Sequence, residues 1–429
     1  MVKLITLDPG HFHAALIQKS MYAEIDSNVY VYAPESHDLQ EHLNRINGYN
    51  SRPENPTRWS QVIYTGKDHM EKMLEEKKGN VVVLAGNNQK KTEYIKASLE
   101  AGFNILSDKP MAINTEDFNI LKESFDLAAS KNLILYDIMT ERSEITTILQ
   151  RELSIIKELF GELEKGTLEN PAVTKESVHH FYKFVSGNVL IRPDWFFDVE
   201  QQGEGIVDVT THLVDLIQWE CFPEQIIDYT KDIEITLAKR WPTLLKPSQF
   251  TEITYKKAYP DFLTSVVTDS LLRVYSNGEI NYRIKGIHAK VSVIWNYKAP
   301  EGTGDTHFSV MRGTKANLVI RQGKEQNYKP ALFIEPVNDF NKDFTGIVDS
   351  AIAKLQNKYP GVQAELKGNS WEVIIPDEYR IGHEEHFAQV TQRFLQYMKN
   401  GKLPDWEVPN MLAKYYTTTK ALEIARNLE

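Results

Sequence analysis

Over residues 1–145, short apolar runs alternate with segments of helical period. Lys3–Leu7, Val29–Tyr32, Val81–Ala85, Asn104–Ser107 and Leu133–Tyr136 each read as a strand. Ala14–Met21 and Lys91–Ala101 read as helices, the second ending at Gly102, a residue suited to a left-handed C-cap. Asn114-Thr115-Glu116-Asp117 opens another helix, with Asn114 or Thr115 as N-cap. An unbroken apolar strand such as Val81–Ala85 suits a parallel sheet covered on both faces. The repeated strand–helix alternation predicts a doubly wound α/β sheet.

After a helix near residues 143–160 the pattern changes. Longer alternating strands appear, among them Ser177–Phe184 and Leu271–Tyr275, and Ser276-Asn277-Gly278 reads as a hairpin turn. His386–Met398 and Pro409–Leu428 have the apolar period of closing amphipathic helices. The expected architecture is α/β followed by α+β, the second part built on a largely antiparallel open sheet.

Composition narrows the classes. A chain of 429 residues exceeds one ordinary domain. A formal net charge of -10 argues against nucleic acid as the partner, since phosphate binding needs a basic footprint. The single cysteine, Cys221, excludes an internal disulfide and a cysteine metal site, and it reads as a buried small residue. No run reaches ~20 apolar residues, so no membrane span is expected. Met1–Asp8 reads as a first strand rather than a signal peptide, and the cytoplasm is the expected compartment.

Three groups of residues carry candidate chemistry. Lys109 follows the strand Asn104–Ser107, at the strand end where open α/β sheets place their ligand crevice. A partly desolvated lysine there can exchange a proton. Asp208 and His212 are four apart, so on one helix they share a face, and a carboxylate beside an imidazole fixes its tautomer. Asp215 adjoins His212 on the same helix, as a further partner or as a structural ion pair. Trp195 offers an apolar stacking surface.

Ala101-Gly102-Phe103-Asn104-Ile105-Leu106-Ser107-Asp108-Lys109-Pro110-Met111-Ala112 resembles the helix–Gly–strand run ending in Glu-Lys-Pro of the Gfo/Idh/MocA oxidoreductases, with Asp108 for Glu. Gly203–Leu216 resembles that family's Gly-rich turn followed by Asp-x-x-x-His-x-x-Asp, and Arg192-Pro193-Asp194-Trp195 precedes it as expected. Met311–Leu318 resembles a Gly-Thr-x-Gly signature with Ala316 for the second glycine. The resemblance implies a Rossmann-type dinucleotide-binding domain over residues 1–145 and a substrate-binding, oligomerising domain over 146–429. It implies an NAD(P)-dependent oxidoreductase acting on a secondary alcohol of a sugar, glycoside or cyclitol, and a homo-oligomer. Lys109, His212 and Asp208 are then catalytic, with Lys109 or His212 as the base. Trp195, Asp208 and His212 contact substrate.

The dinucleotide fingerprint departs from the family. Asp8-Pro9-Gly10-His11-Phe12-His13-Ala14 stands where Gly-x-Gly-x-x-Gly is expected, and only Gly10 fits. Asp8 brings negative charge toward a phosphate site unless it points away. Lys91 replaces a common histidine. The expected cofactor contacts are Gly10, His11, Phe12, His13, Glu35, Gly86, Asn87, Asn88, Asp108 and Lys109. Glu35 suits the ribose hydroxyls and no arginine follows it closely, which favours NAD over NADP. No metal is expected. His383-x-x-His386 lacks the zincin spacing, and His11-x-His13 and His179-His180 lack acidic or histidine partners nearby in sequence. Two other functions share this pattern: an NAD-retaining enzyme that cleaves glycosides by oxidation, elimination and reduction, and a non-enzymatic ligand sensor.

Overall fold

The structure is a computed structural model that describes residues 1–185, 188–338 and 342–428. Its first sheet has six parallel strands: β1 (Leu4–Leu7), β2 (Asn28–Ala33), β3 (Ser60–Thr65), β4 (Val81–Leu84), β5 (Asn104–Asp108) and β6 (Leu135–Ile138), ordered β3-β2-β1-β4-β5-β6. This is the doubly wound order that reverses beside the first strand. Every residue of β1, β4 and β6 is buried, as their apolar runs require. Asn114 caps the helix Thr115–Ser130 by accepting from the Asp117 amide at 2.8 Å. The edge strand β3 is mostly exposed on both faces, so no apolar pattern announces it.

The helix expected over residues 14–21 is a single turn, His13–Leu16. Beyond it Gln18 and Lys19 donate to carbonyls three residues back, so the helix unwinds into tight turns. The chain therefore lacks the long helix that normally follows the first strand of such a sheet.

The second sheet has ten strands and is antiparallel except where Ile287–Lys298 runs parallel to Val173–Tyr182. Ser276-Asn277-Gly278 is not a turn. The strand Leu271–Ile284 runs straight through it, and the hairpin lies at Lys285–Gly286, both at positive φ. Asn277 binds Trp241 and Thr243 on one side and Trp295 on the other, within the sheet. Gly278 is needed for close approach, since a Cβ there would lie 2.6 Å from the Cβ of Ile206.

The closing helices, His383–Asn400 and Glu407–Asn427, join the two halves. Phe387, Val390, Phe394, Met411 and Tyr415 enter the first core, and Ala413, Ala421 and Leu422 enter the second. Buried ion pairs hold this junction. Arg142 binds Asp215 through Nε and Nη2, both at 2.7 Å, and Lys414 bridges Asp215 and Asp137 at 2.9 and 2.6 Å. No helix among the described residues is long and apolar enough to cross a membrane.

Candidate functional site

A cavity of about 800 Å³ lies between the carboxyl ends of β1, β4 and β5 and the inner face of the second sheet. Lys109, Asp208 and His212 all line it, with His11, Phe12, His13, Gly86, Asn88 and Asp108. The fold thus brings together groups up to ~200 residues apart at the strand ends, the crevice position of open α/β sheets.

Lys109 Nζ donates to Asp208 Oδ1 at 2.5 Å, and Gln202 Nε2 donates to Asp208 Oδ2 at 3.1 Å. Burial pushes the Asp208 carboxyl up, but the charge and hydrogen bond of Lys109 bring it below its ordinary value. The expected Asp208–His212 pair does not form. The helix begins at Thr210, so Asp208 lies before it and turns to Lys109 instead. His212 Nδ1 has no hydrogen-bond partner, and burial, with the Lys109 charge, lowers the imidazole to about 4. His212 is therefore neutral near pH 7. Asp215 is the buried ion-pair partner of Arg142 and Lys414.

The turn that presents Lys109 is held from beneath. Lys91 is buried, and its Nζ donates to Asn88 Oδ1 at 2.6 Å and to the carbonyls of Asp108 and Pro110 at 2.9 and 3.0 Å. Burial lowers this lysine to about 8. Asn88 donates to the Gln202 carbonyl and Asn87 to Gln201 Oε1, so both tie the β4 loop to the second domain. Asn87 does not line the cavity.

The loop after β1 is unlike a glycine-rich one. Asp8 adopts φ +46, a left-handed conformation that aspartate tolerates better than most residues. Its carboxylate accepts from the Tyr94 hydroxyl at 2.9 Å and so turns away from the loop crest. The amides of Gly10 and His11 both donate to the Ala85 carbonyl at 3.1 Å. His11 Nδ1 lies 2.9 Å from Asp108 Oδ2, and His13 Nδ1 lies 3.1 and 3.0 Å from the two Asp108 oxygens. Burial lowers both imidazoles. Burial alone would raise Asp108, but His13 and His11 hold it well below the usual carboxylate range.

Sequence distance hid this group. His11-x-His13 has no acid near it in sequence, yet the sheet places Asp108 between the two rings. His383 begins the closing helix and brings its Nε2 to 3.4 Å from His13 Nε2.

Trp195 is not in the main cavity. It stands against Gly10, where a Cβ would meet its Cζ2 at 3.1 Å, and its Nε1 donates to Asp38 Oδ2 at 2.8 Å. It lines a second cavity of about 250 Å³ with Gly10, Ser36, His37, Asp38, Arg45 and Lys256. Glu35 is exposed and lines neither cavity, because the chain turns outward there before Ser36 caps the next helix. Asp38 lines the second cavity instead, and Arg45, two turns further along the same helix, reaches it too.

The far end of the main cavity gathers polar groups that no sequence motif marks. Asp305 accepts from His179 and His180 at 3.1 Å each and from Lys183 at 2.9 Å. The His179 ring stacks on Trp295 with centroids 5.1 Å apart. Arg192 is buried beside them, donating to the carbonyls of His180 and Phe181. Cys221, expected to be buried, is partly exposed and lies outside both cavities.

Comparison with known proteins agrees with this arrangement. Residues 10–136 match the oxidoreductase-family model with an NAD-binding Rossmann fold, and residues 149–426 match the oxidoreductase C-terminal domain model. No curated protein matches the chain. A crystal structure from Parabacteroides merdae ATCC 43184, described as an oxidoreductase with no substrate named, is 61% identical with a TM-score of 0.98, covering 100% of this chain and 98% of that one. Levoglucosan dehydrogenase in complex with NADH and levoglucosan is 14% identical with a TM-score of 0.61, covering 99% and 97%. Biliverdin reductase from Synechocystis sp. PCC 6803, with biliverdin and NADP+, is 10% identical with a TM-score of 0.58, covering 99% of each chain. The last two show the shared fold.

Proposed function

We propose, since this chain belongs to the Gfo/Idh/MocA oxidoreductase family, that it oxidises a secondary alcohol of a sugar, glycoside or cyclitol with NAD as hydride acceptor. One observation carries the reading: the Lys109–Asp208 ion pair and a neutral His212 face one cavity at the strand ends. Alcohol oxidation needs a base for the hydroxyl proton. His212 is neutral and has an unpartnered ring nitrogen, so it takes that role. Lys109, anchored by Asp208, directs its remaining N–H groups at the developing alkoxide and stabilises it. Asp208 positions Lys109 rather than His212.

The far end of the cavity supports a polyhydroxylated substrate. Asp305, His179 and Lys183 offer donors and acceptors, and Trp295 offers an apolar surface. The levoglucosan dehydrogenase complex lends the carbohydrate reading a precedent on this fold.

The residues present also fit a dinucleotide. The two cavities meet at His11 and Phe12, and a Cβ at Gly10 would crowd Trp195 and Asp38, which line the second one. Asp38, in the first turn of the helix that follows β2, lines the second cavity and offers a carboxylate to the ribose hydroxyls. Because the loop amides are engaged, phosphate contacts fall to side chains such as His11 and Arg45. Bound NAD would supply the hydride acceptor. Asp38 and Glu41 favour NAD over NADP, whereas Arg45 and Lys256 lessen the margin. Family membership supports a homo-oligomer, and the cytoplasm is the compartment proposed.

The test is calorimetry of the purified chain with NAD and NADP, analysis of nucleotide released on denaturation, and a sugar screen read by reduced-nicotinamide absorbance. Binding of NAD and sugar-dependent reduction are expected, with turnover lost in Lys109→Met. Full activity in that variant would remove the mechanism.

A further inference from the structure

We propose that His11, His13 and Asp108 form a binding site for one divalent transition-metal ion, with an open coordination position facing the main cavity. Among the described residues, this is the one group of three histidine, cysteine or acidic side chains whose ligand atoms all lie within 4.8 Å of one another. Tetrahedral zinc bonds of about 2.0–2.2 Å place neighbouring ligands roughly 3.3 Å apart. The His11–Asp108 and His13–Asp108 gaps, 2.9 to 3.1 Å, lie within a few tenths of that. Small ring rotations would admit the ion.

The donor chemistry agrees. Two imidazoles and one carboxylate offer nitrogen and oxygen donors suited to zinc, cobalt, nickel or ferrous iron rather than the all-oxygen shells of calcium and magnesium. Metal-bound histidines ordinarily hold a second partner through their other ring nitrogen. His13 has one: its Nε2 meets His383 Nε2 at 3.4 Å, and His383 Nδ1 lies 3.6 Å from Glu141 Oε1. Asp108 is held by its own backbone, whose carbonyl accepts from buried Lys91. The trio uses three protein ligands and lines the cavity, the pattern of a site that keeps its fourth position for an oxygen donor. Resting on the proposed reaction, that donor is a substrate hydroxyl near Lys109.

The experiment uses the full chain, stripped with a chelator, dialysed and titrated with Co2+ alone. One equivalent should bind, with the visible absorption of a four- or five-coordinate ion, and Zn2+ should displace it. Asp108→Asn and His13→Ala should abolish the spectrum. His11→Ala should weaken binding about 100-fold or more, and His383→Gln about 10- to 100-fold. His11 is the least buried ligand, so its variant tests the site even if His13→Ala fails to fold. A folded wild-type chain that takes up no stoichiometric ion, or binding unchanged in both His11→Ala and Asp108→Asn, would overturn the proposal. It would leave a hydrogen-bonded triad. Metal uptake is read without NAD or sugar, so its failure and that of the redox reading are separable.

Discussion

Lys109→Met removes half of a nearly closed ion pair. The two side chains are 10% and 9% exposed, and Nζ and Oδ1 are 2.5 Å apart. In the variant Asp208 keeps one side-chain hydrogen bond, from Gln202. Breaking a buried pair costs about 3–5 kcal/mol, and the retained bond offsets about 1. A net loss of about 2–4 kcal/mol, at roughly 1 °C per kcal/mol for a chain of 429 residues, lowers Tm by about 2–5 °C. Adding Asp208→Asn replaces the charged pair by two neutral groups and should recover much of that loss. The coupling energy should be about 2 kcal/mol. Turnover should stay absent in both variants, because the alkoxide has lost its donor. The assay is a double-mutant cycle of thermal melts at pH 7.5, with reduced-nicotinamide absorbance for activity. Additive melting shifts would show that Asp208 is solvated rather than paired. Turnover restored in the double variant would refute the role given to Lys109.

If His212 is the base, kcat/KM should fall on acidification with a midpoint near 4, not near the ordinary histidine value of 6.5, and His212→Asn should abolish that limb; a wild-type midpoint at 6.5 counts against the assignment. His42 is 4% exposed, neither ring nitrogen has a partner, and burial lowers it to about 4. The unfolded chain therefore binds the extra proton between about pH 6.5 and 4, so stability falls as pH drops through that window, by up to about 3 kcal/mol; urea melts of His42→Phe should show a flatter pH dependence. Gly10→Ala places a Cβ 3.1 Å from Trp195 and 3.4 Å from Asp38, so calorimetry should show NAD affinity reduced about 10-fold with Tm nearly unchanged.

The parallel sheet was legible because its strands are buried on both faces and carry continuous apolar runs. The exposed edge strand Ser60–Thr65 carries no such signal. Ser276-Asn277-Gly278 has turn composition, but its glycine answers a contact with Ile206 from a different element, which local reading cannot register. Site residues followed the same division. Lys109, Asp208 and His212 were legible as motif positions beside strand ends. Their pairing was not, because it depends on the helix starting at Thr210 rather than at Asp208. Trp195 was legible as a candidate site residue, but its place in the second cavity was not, since that is set by its hydrogen bond to Asp38 across the domain boundary.

The departures around β1 behave as one physical unit. Aspartate at 108 is one methylene shorter than the family's glutamate, and the space so freed holds the rings of His11 and His13 against its carboxylate. His13 occupies the third glycine position, which a long helix close to the sheet would not tolerate; here the helix is a single turn. Lys91, in place of a histidine, donates to the carbonyls of Asp108 and Pro110 and fixes the backbone from which that carboxylate projects. Asp8, in place of the first glycine, finds its donor in Tyr94, three residues after Lys91. Restoring one family residue alone would therefore conflict with the others: Asp108→Glu pushes a carboxylate into two imidazoles, and His13→Gly leaves a cavity beside a buried charge. A loop rebuilt this consistently is better explained by retained chemistry than by decay, because a retired site would not need four substitutions that satisfy one another.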